Sequence, residues 1–496
     1  MTLANQPDIE SLARNWASGA QHHMLIAGRL VGSISRGEYQ AIDPSTNEVI
    51  GRYPNAGAED VEAAIVAADG ARLAWARLGA QERADIVRRM ADVVETHLDE
   101  IAALDSIDTG VPFWMMRKDV ASGIARMRMF ADWALRLVGE TIPSSPTHLN
   151  FTQRVPFGIV ARIVAYNHPS MFGIAKIAAP LVAGNAVILK SSQLTPVAML
   201  RVAELWAEIV PAGVLAILTS ETALVGEQMV RDPRIRRVAF TGSPATGRAI
   251  QRGAAELAVK HVSLELGGKN ALIVLPDADL DAVAVGAVTG MNLAFAGQSC
   301  GSTSRLLVPE ALVNDVAERV KSRFEQVRIG TPFSEGVQMS PLISHAHCTR
   351  VGENLTAAIA GSGQLVTGGS RPEDPADGFF YSPTLVIDRD PRSELTTQEV
   401  FGPILTIIPT ESTSQAVKIA NSLPYGLTAS VYGSDIGVAL GVAAELEAGY
   451  LWINETSTHF AGLPFGGVKD SGVGREESFE ELAEYTQVRA TSVRLG

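Results

Sequence analysis

The chain of 496 residues, 46% hydrophobic and 19% charged, is long enough for two or three domains with substantial cores, which excludes disorder as its main state. A formal charge of −13 argues against nucleic acid or an anionic membrane as partner, since both require a basic face. Two cysteines, Cys300 and Cys348, make no disulfide framework and belong to no paired Cys-x-x-Cys, so neither structural zinc nor any other metal is expected and the context reads as cytoplasmic.

Residues 1–20 are polar and weakly patterned, which predicts an arm, and Asp8 and Glu10 leave no secretory signal visible. Residues 25–51 read as short strands and turns around Asp43-Pro44-Ser45-Thr46-Asn47. Two helices follow. In the second, Ile86, Met90, Val93, Val94, His97, Leu98, Ile101 and Leu104 recur at mostly three- and four-residue spacing along one apolar face, with His97 packing on or beside it. A third helical region covers 119–138. Polar alternation around Pro143 and Pro146 predicts an exposed hairpin over 139–156, whose edges seek a partner.

Strands over 158–164, 185–189, 213–218 and 238–240 alternate with helices over 171–182 and 196–209, the pattern of βαβ units around a parallel sheet. The apolar stretch 159–189 is interrupted by Arg162, Asn167, His168, Pro169, Lys176 and Pro180, so it is core and not a membrane span. A helix over 280–296, a strand over 305–308 and a helix over 310–327 predict a second α/β domain. The tail 476–496 is polar and strand-like at its end, able to pair with the hairpin or with another subunit.

Four stretches carry chemistry. In Phe240-Thr241-Gly242-Ser243-Pro244-Ala245-Thr246-Gly247, a glycine-bearing turn opens a helix whose N-terminus suits a pyrophosphate, or the glycines simply permit the turn; the G-x-G-x-x-G fingerprint is absent. In Leu264-Glu265-Leu266-Gly267-Gly268-Lys269-Asn270, Glu265 is either a general base or the salt-bridge partner of Lys269. Asn167, just past a strand, offers its amide to an oxyanion or is an ordinary loop residue. Cys300 sits among Gly297, Ser299 and Gly301, small residues that let a substrate approach, yet a lone cysteine also reads as a small buried hydrophobe. His345-Ala346-His347-Cys348 has metal-like residue types without a fourth ligand, and Ser344 reads as a helix N-cap, so that stretch is structural.

Tyr166-Asn167-His168-Pro169, Lys190-Ser191-Ser192-Gln193, FTGSPATG, LELGGKN, GQSC, Glu399-Val400-Phe401-Gly402-Pro403 and PFGGVKDSGVGRE, in this order, resemble the aldehyde dehydrogenase superfamily over nearly the whole chain. The resemblance implies an α/β fold of two doubly wound domains, one Rossmann-like, plus a β-hairpin oligomerisation element. The coenzyme domain would take 1–138 and 157–264, the catalytic domain 265–446, the oligomerisation element 139–156 and 476–496, with 447–475 a returning segment. A homodimer or homotetramer is implied, acting on a small-molecule aldehyde.

It implies further that Cys300 attacks the aldehyde, that Asn167 and the Cys300 backbone N–H hold the oxyanion, that hydride leaves to NAD or NADP, and that Glu265 activates the water that hydrolyses the thioester. Lys176 would lie near the reacting centre. Lys190 would hold the adenosine ribose, Gly242, Ser243 and Gly247 the pyrophosphate turn, Glu399 the nicotinamide ribose, and Phe401 would pack near the ring. Gln193 stands where many NAD-using members have glutamate, which removes a charge that repels a 2′-phosphate. His168, Phe172, Ser299, His459 and Phe460 are expected pocket residues. A coenzyme A-acylating enzyme is disfavoured by Glu265, and a catalytically idle member by the presence of Asn167, Glu265 and Cys300 together.

Overall fold

The computed structural model describes residues 6–19, 21–35, 37–375 and 377–495. Its first sheet has eight strands in the order Arg29–Val31, Met24–Ile26, Leu215–Leu218, Ala186–Lys190, Ile159–Ile163, Ile235–Thr241, His261–Glu265, Gly472–Val473. The central five run parallel, and the edges are antiparallel. Every residue of Ile159–Ile163 and Ala186–Lys190 is buried, as happens when both faces of a parallel sheet are covered. Beside them the helix Pro169–Val182 is buried along its whole length, and it starts on a proline whose missing N–H would have had no helical partner.

The second sheet has seven strands in the order Gly363–Thr367, Thr384–Asp388, Ile404–Thr410, Thr303–Pro309, Asn270–Val274, Thr428–Tyr432, Tyr450–Ile453, parallel except at the first. Successive residues of Asn270–Val274 point into two separate cores: Leu272 and Val274 pack with Val283 and Val316, Ala271 and Ile273 with Val417 and Val442. Period-two alternation thus buries both faces. The edge strand Tyr450–Ile453 carries this sheet past residue 446.

A third sheet joins Thr141–Ile142 and His148–Pro156 to the tail strand Thr486–Arg494, which pairs along the whole hairpin strand within the same chain. Ahead of that strand the chain is not a plain tail: Phe479–Glu484 is a helix, and Leu482 and Tyr485 are buried in the first core.

Three expectations need correction. The N-terminal segment is no arm, since Gln6–Ala17 is a helix with Ala13 and Ala17 buried and Ala17 O accepting from Tyr53 Oη at 2.9 Å. The long amphipathic helix breaks at His97 into Ala80–Thr96 and Leu98–Thr109, where the imidazole Nδ1 bonds Val93 O at 2.8 Å. An apolar stripe continues across such a break, so periodicity misses it. The helix expected to reach 296 stops at Gly290, because Asn292 and Ala296 take left-handed φ of 52° and 51° around a single 3₁₀ turn. That turn delivers Cys300.

Candidate active site

The carboxyl ends of the parallel strands of the first sheet open on a cavity of about 1270 Å³. Asn167, Lys190, Gln193, Ser243, Glu265, Glu399, Phe401 and Cys300 all line it, from positions spread over nearly half the chain. Ser243 caps the helix Pro244–Leu257, accepting from Thr246 N at 3.3 Å, so a positive helix end faces the cavity beside Gly242. Gly247 is not in that wall: a Cβ there would meet Leu266 Cδ2 at 2.8 Å, so its role is close packing of helix on sheet.

Lys190 is buried at the end of its strand, donates to Ser191 O at 3.2 Å, and burial pushes its pKa down to about 8. Its other N–H donors suit ribose hydroxyls. Gln193 is exposed at the rim. The glycine pair of LELGGKN makes room for Glu399, whose Oε1 accepts from Gly268 N at 3.0 Å while a Cβ on Gly267 would overlap Oε2 at 1.9 Å. Burial raises the Glu399 pKa to about 7. These donors, the helix end and the carboxylate fit a nicotinamide dinucleotide.

At the inner end, Asn270 ties down the Cys300 loop: its Nδ2 donates to Cys300 O at 2.7 Å and Ser302 O at 2.9 Å, and its Oδ1 accepts from Thr428 N. Gln298 is the other anchor. Its amide donates to Phe295 O and Pro341 O and accepts from Ile343 N and Tyr166 Oη, using every donor and acceptor. Its own carbonyl accepts from Asn167 Nδ2 at 2.9 Å, which fixes that amide and leaves its second N–H unspent. Gly297 is not room for substrate: a Cβ there would lie 2.3 Å from Gly402 O, whereas Gly301 has nothing within 4 Å.

Burial, and then the nearby Glu265, push the Cys300 thiol pKa up, with Lys176 opposing. Glu265 is buried at a strand end with Oε1 unpartnered, and burial followed by Glu476 holds its pKa well above the usual carboxylate range. Lys269 is not its salt-bridge partner; the Lys269 ammonium is itself buried without a hydrogen bond, and burial drops its pKa to about 7. Lys176 stands behind the wall. It donates to Thr241 Oγ1 at 2.6 Å and pairs with Glu476 Oε2 at 2.8 Å, with its ammonium 4.0 Å from the Phe172 ring centroid. Glu476 also takes Arg162 at 2.5 Å; despite burial, the two cations hold its pKa low.

Around the sulfur, Cys300 packs against Leu427, Tyr450, Trp452 and Phe465. His459 stacks on Tyr450 and contacts Phe465, and its Nδ1 lies 3.4 Å from Glu477 Oε2. Phe460 is 55% exposed. His168 lies between Phe172 and Phe295, with Nδ1 3.0 Å from Asp119 and Nε2 3.4 Å from Ser299 Oγ. His347 and Cys348 join no metal-binding group among the described residues; Ser344 does cap that helix, accepting from His347 N. No helix among the described residues is long and apolar enough to cross a membrane.

Residues 31–491 match the model of the aldehyde dehydrogenase family. The chain belongs to that family. It is 38% identical to aldehyde dehydrogenase tropH of Talaromyces stipitatus over 99% of this chain and 96% of the relative, and 37% identical to phenylacetaldehyde dehydrogenase of Pseudomonas fluorescens over 95% of each. Among solved structures, betaine aldehyde dehydrogenase from Staphylococcus aureus in complex with NAD+ superposes with a TM-score of 0.95 at 32% identity, covering 98% of both chains. An aldehyde dehydrogenase from Bacillus cereus, also an NAD+ complex, gives 0.94 at 32% identity over 99% of both. Aldehyde oxidation is the reaction class of this enzyme.

In this aldehyde dehydrogenase the motifs left four residues unmarked: Asn270, Gln298, Glu476 and Asp119. Asn270, Gln298 and Glu476 stand inside LELGGKN, GQSC and PFGGVKDSGVGRE, so the signal was present but their partners were not visible. Asp119 had no local signal, since only folding brings it to His168.

Proposed function

We propose that this enzyme oxidises an aldehyde to a carboxylic acid with NAD or NADP through a thioester on Cys300. The observation that supports it is one cavity lined by Asn167, Glu265 and Cys300 together with Lys190, Ser243 and Glu399. The thiol proton passes to Glu265, because burial holds that carboxyl well above its usual range and makes it a competent base, and its protonation removes a charge that raises the thiol pKa. The thiolate then adds to the aldehyde carbon, and the oxygen that becomes negative is met by the second N–H of Asn167 and the Cys300 backbone N–H. Bound dinucleotide supplies the acceptor for the hydride that leaves this carbon.

Glu265 must lose its proton again before hydrolysis. Glu476 opposes this loss by raising the Glu265 pKa and Lys176 favours it, so the balance of this pair sets when Glu265 can act as base. Glu265 as carboxylate then takes a proton from the attacking water, and the acid departs with Cys300 restored. Aldehyde, water and oxidised coenzyme become acid, reduced coenzyme and one proton.

Neutral Gln193 leaves the ribose 2′-position free of a repelling charge, so NADP is accepted as well as NAD. The aromatic surfaces of Phe172, Trp452 and Phe465 favour aromatic or medium apolar aldehydes over small hydrophilic ones. The three-stranded sheet exposes Leu149 and Val493 as cross-strand neighbours on one face and Val488 on the other, and this sheet joins copies into a dimer or tetramer. The deciding experiment is formation of reduced coenzyme with an aldehyde panel and both dinucleotides. Cys300→Ala abolishes it; retained turnover in that variant refutes the assignment.

A further inference from the structure

We propose that Asp119, His168 and Ser299 form a hydrogen-bonded line that selects aromatic aldehydes bearing a hydroxyl group. This rests on the aldehyde oxidation proposed above and names the substrate class of the same site. Asp119 Oδ2 lies 3.0 Å from His168 Nδ1. A carboxylate only accepts, so Nδ1 carries the proton, and in the neutral ring Nε2 presents a lone pair. Among the described residues, the hydroxyl bonded at that lone pair, Ser299 Oγ, stands at 3.4 Å, longer than a well-formed hydrogen bond. A better donor displaces it readily. A phenolic O–H is such a donor, being far more acidic than a serine hydroxyl.

The placement decides what such a donor would be attached to. His168 directly follows the oxyanion residue Asn167, and Ser299 directly precedes the nucleophile, so a group bonded to Nε2 belongs to the molecule whose carbonyl meets Cys300. The imidazole is flanked by Phe295 at 4.3 Å and Phe172 at 5.2 Å between ring centroids, surfaces that favour another aromatic ring. A phenylalanine at 168 would pack equally well there. Keeping instead a histidine and a carboxylate with side chains only 12% and 11% exposed costs desolvation, which a structural role does not repay. Asp119 is the positioning residue: it holds the tautomer and ring orientation without touching substrate.

The test compares kcat/KM for benzaldehyde and the three hydroxybenzaldehyde isomers, with the full-length enzyme and its dinucleotide. At least one isomer exceeds benzaldehyde by about tenfold, the scale of one well-placed hydrogen bond. His168→Phe collapses this ratio towards unity, and the loss falls in KM for the hydroxylated aldehyde. Asp119→Leu does the same, because nothing then accepts from Nδ1 and the tautomer and ring orientation are released, and it decides the matter if His168→Phe does not fold. A ratio near unity for all isomers in the unmodified enzyme, or a ratio that survives the substitutions, overturns the proposal. Absence of turnover with every aldehyde would instead strike the oxidation reading itself.

Discussion

His347 Nε2 lies 2.7 Å from the carbonyl oxygen of Phe401, while Nδ1 of the same ring faces Arg350 Nη2 at 2.7 Å. The guanidinium can only donate, so the ring is neutral, with its proton on Nε2. This bond anchors Phe401 in the cavity wall at a left-handed φ of 56°, which a phenylalanine rarely adopts unaided. Burial drops the His347 pKa from 6.5 to about 4, so the unfolded chain binds the proton more readily. The stability His347 contributes is therefore present above pH 6.5 and lost as pH falls towards 4. Its size is on the order of 3 kcal/mol. Melting curves across that window should be flatter for His347→Gln than for the unmodified enzyme.

Coenzyme affinity should follow a bell-shaped pH profile. Glu399 accepts ribose hydroxyls only as carboxylate, and its pKa is raised to about 7; Lys190 serves as ammonium, and its pKa is lowered to about 8. Dissociation constants from protein fluorescence should be lowest between these values. Glu399→Gln removes the acid limb and Lys190→Met the alkaline one; unchanged limbs would exclude both assignments.

Glu476→Gln should lower the Glu265 pKa and move the acid limb of steady-state turnover to lower pH, because a like charge that raises that pKa is removed. The pH profile of reduced-coenzyme formation checks this. Removing this carboxylate also leaves buried Arg162 and Lys176 short of a counter-charge, so unfolding should become easier by about 3 kcal/mol. An acid limb that stays where it is in the unmodified enzyme would show that Glu476 only stabilises the fold.

Gln298→Leu retains the volume and removes four hydrogen bonds. With Asn167 and Cys300 no longer held in register, kcat should fall by about 100-fold. Coenzyme affinity should shift by no more than about twofold, since Gln298 is absent from the cavity wall. A fall in affinity comparable to that in kcat would mean the whole site had collapsed.

Local pattern was enough to reveal the βαβ run from 158 to 240 and the second α/β unit, because burial on both faces writes itself as apolar strands. It failed at His97 and at Gly290–Ala296, where the turn depends on one imidazole bond and two left-handed residues that leave hydrophobic spacing unchanged. Glycines were legible as glycines but not by purpose: Gly267 clears Glu399, Gly297 clears Gly402, and Gly247 clears Leu266, three partners far away in sequence or hidden by the strand-to-helix turn.

The sequence by itself determined which functional groups are available, a thiol, a carboxylate and an amide in GQSC, LELGGKN and YNHP, because side-chain identity is local. Tertiary structure decided which of their polar atoms remain free. Lys269 lies only four residues on yet leaves Glu265 Oε1 unpartnered, while Glu476, more than two hundred residues away, raises its pKa across the cavity wall. Asn167 spends one N–H on Gln298 and keeps the other. Electrostatics in a buried site depend on distance and desolvation, and both are fixed only when the sheets close around the sulfur.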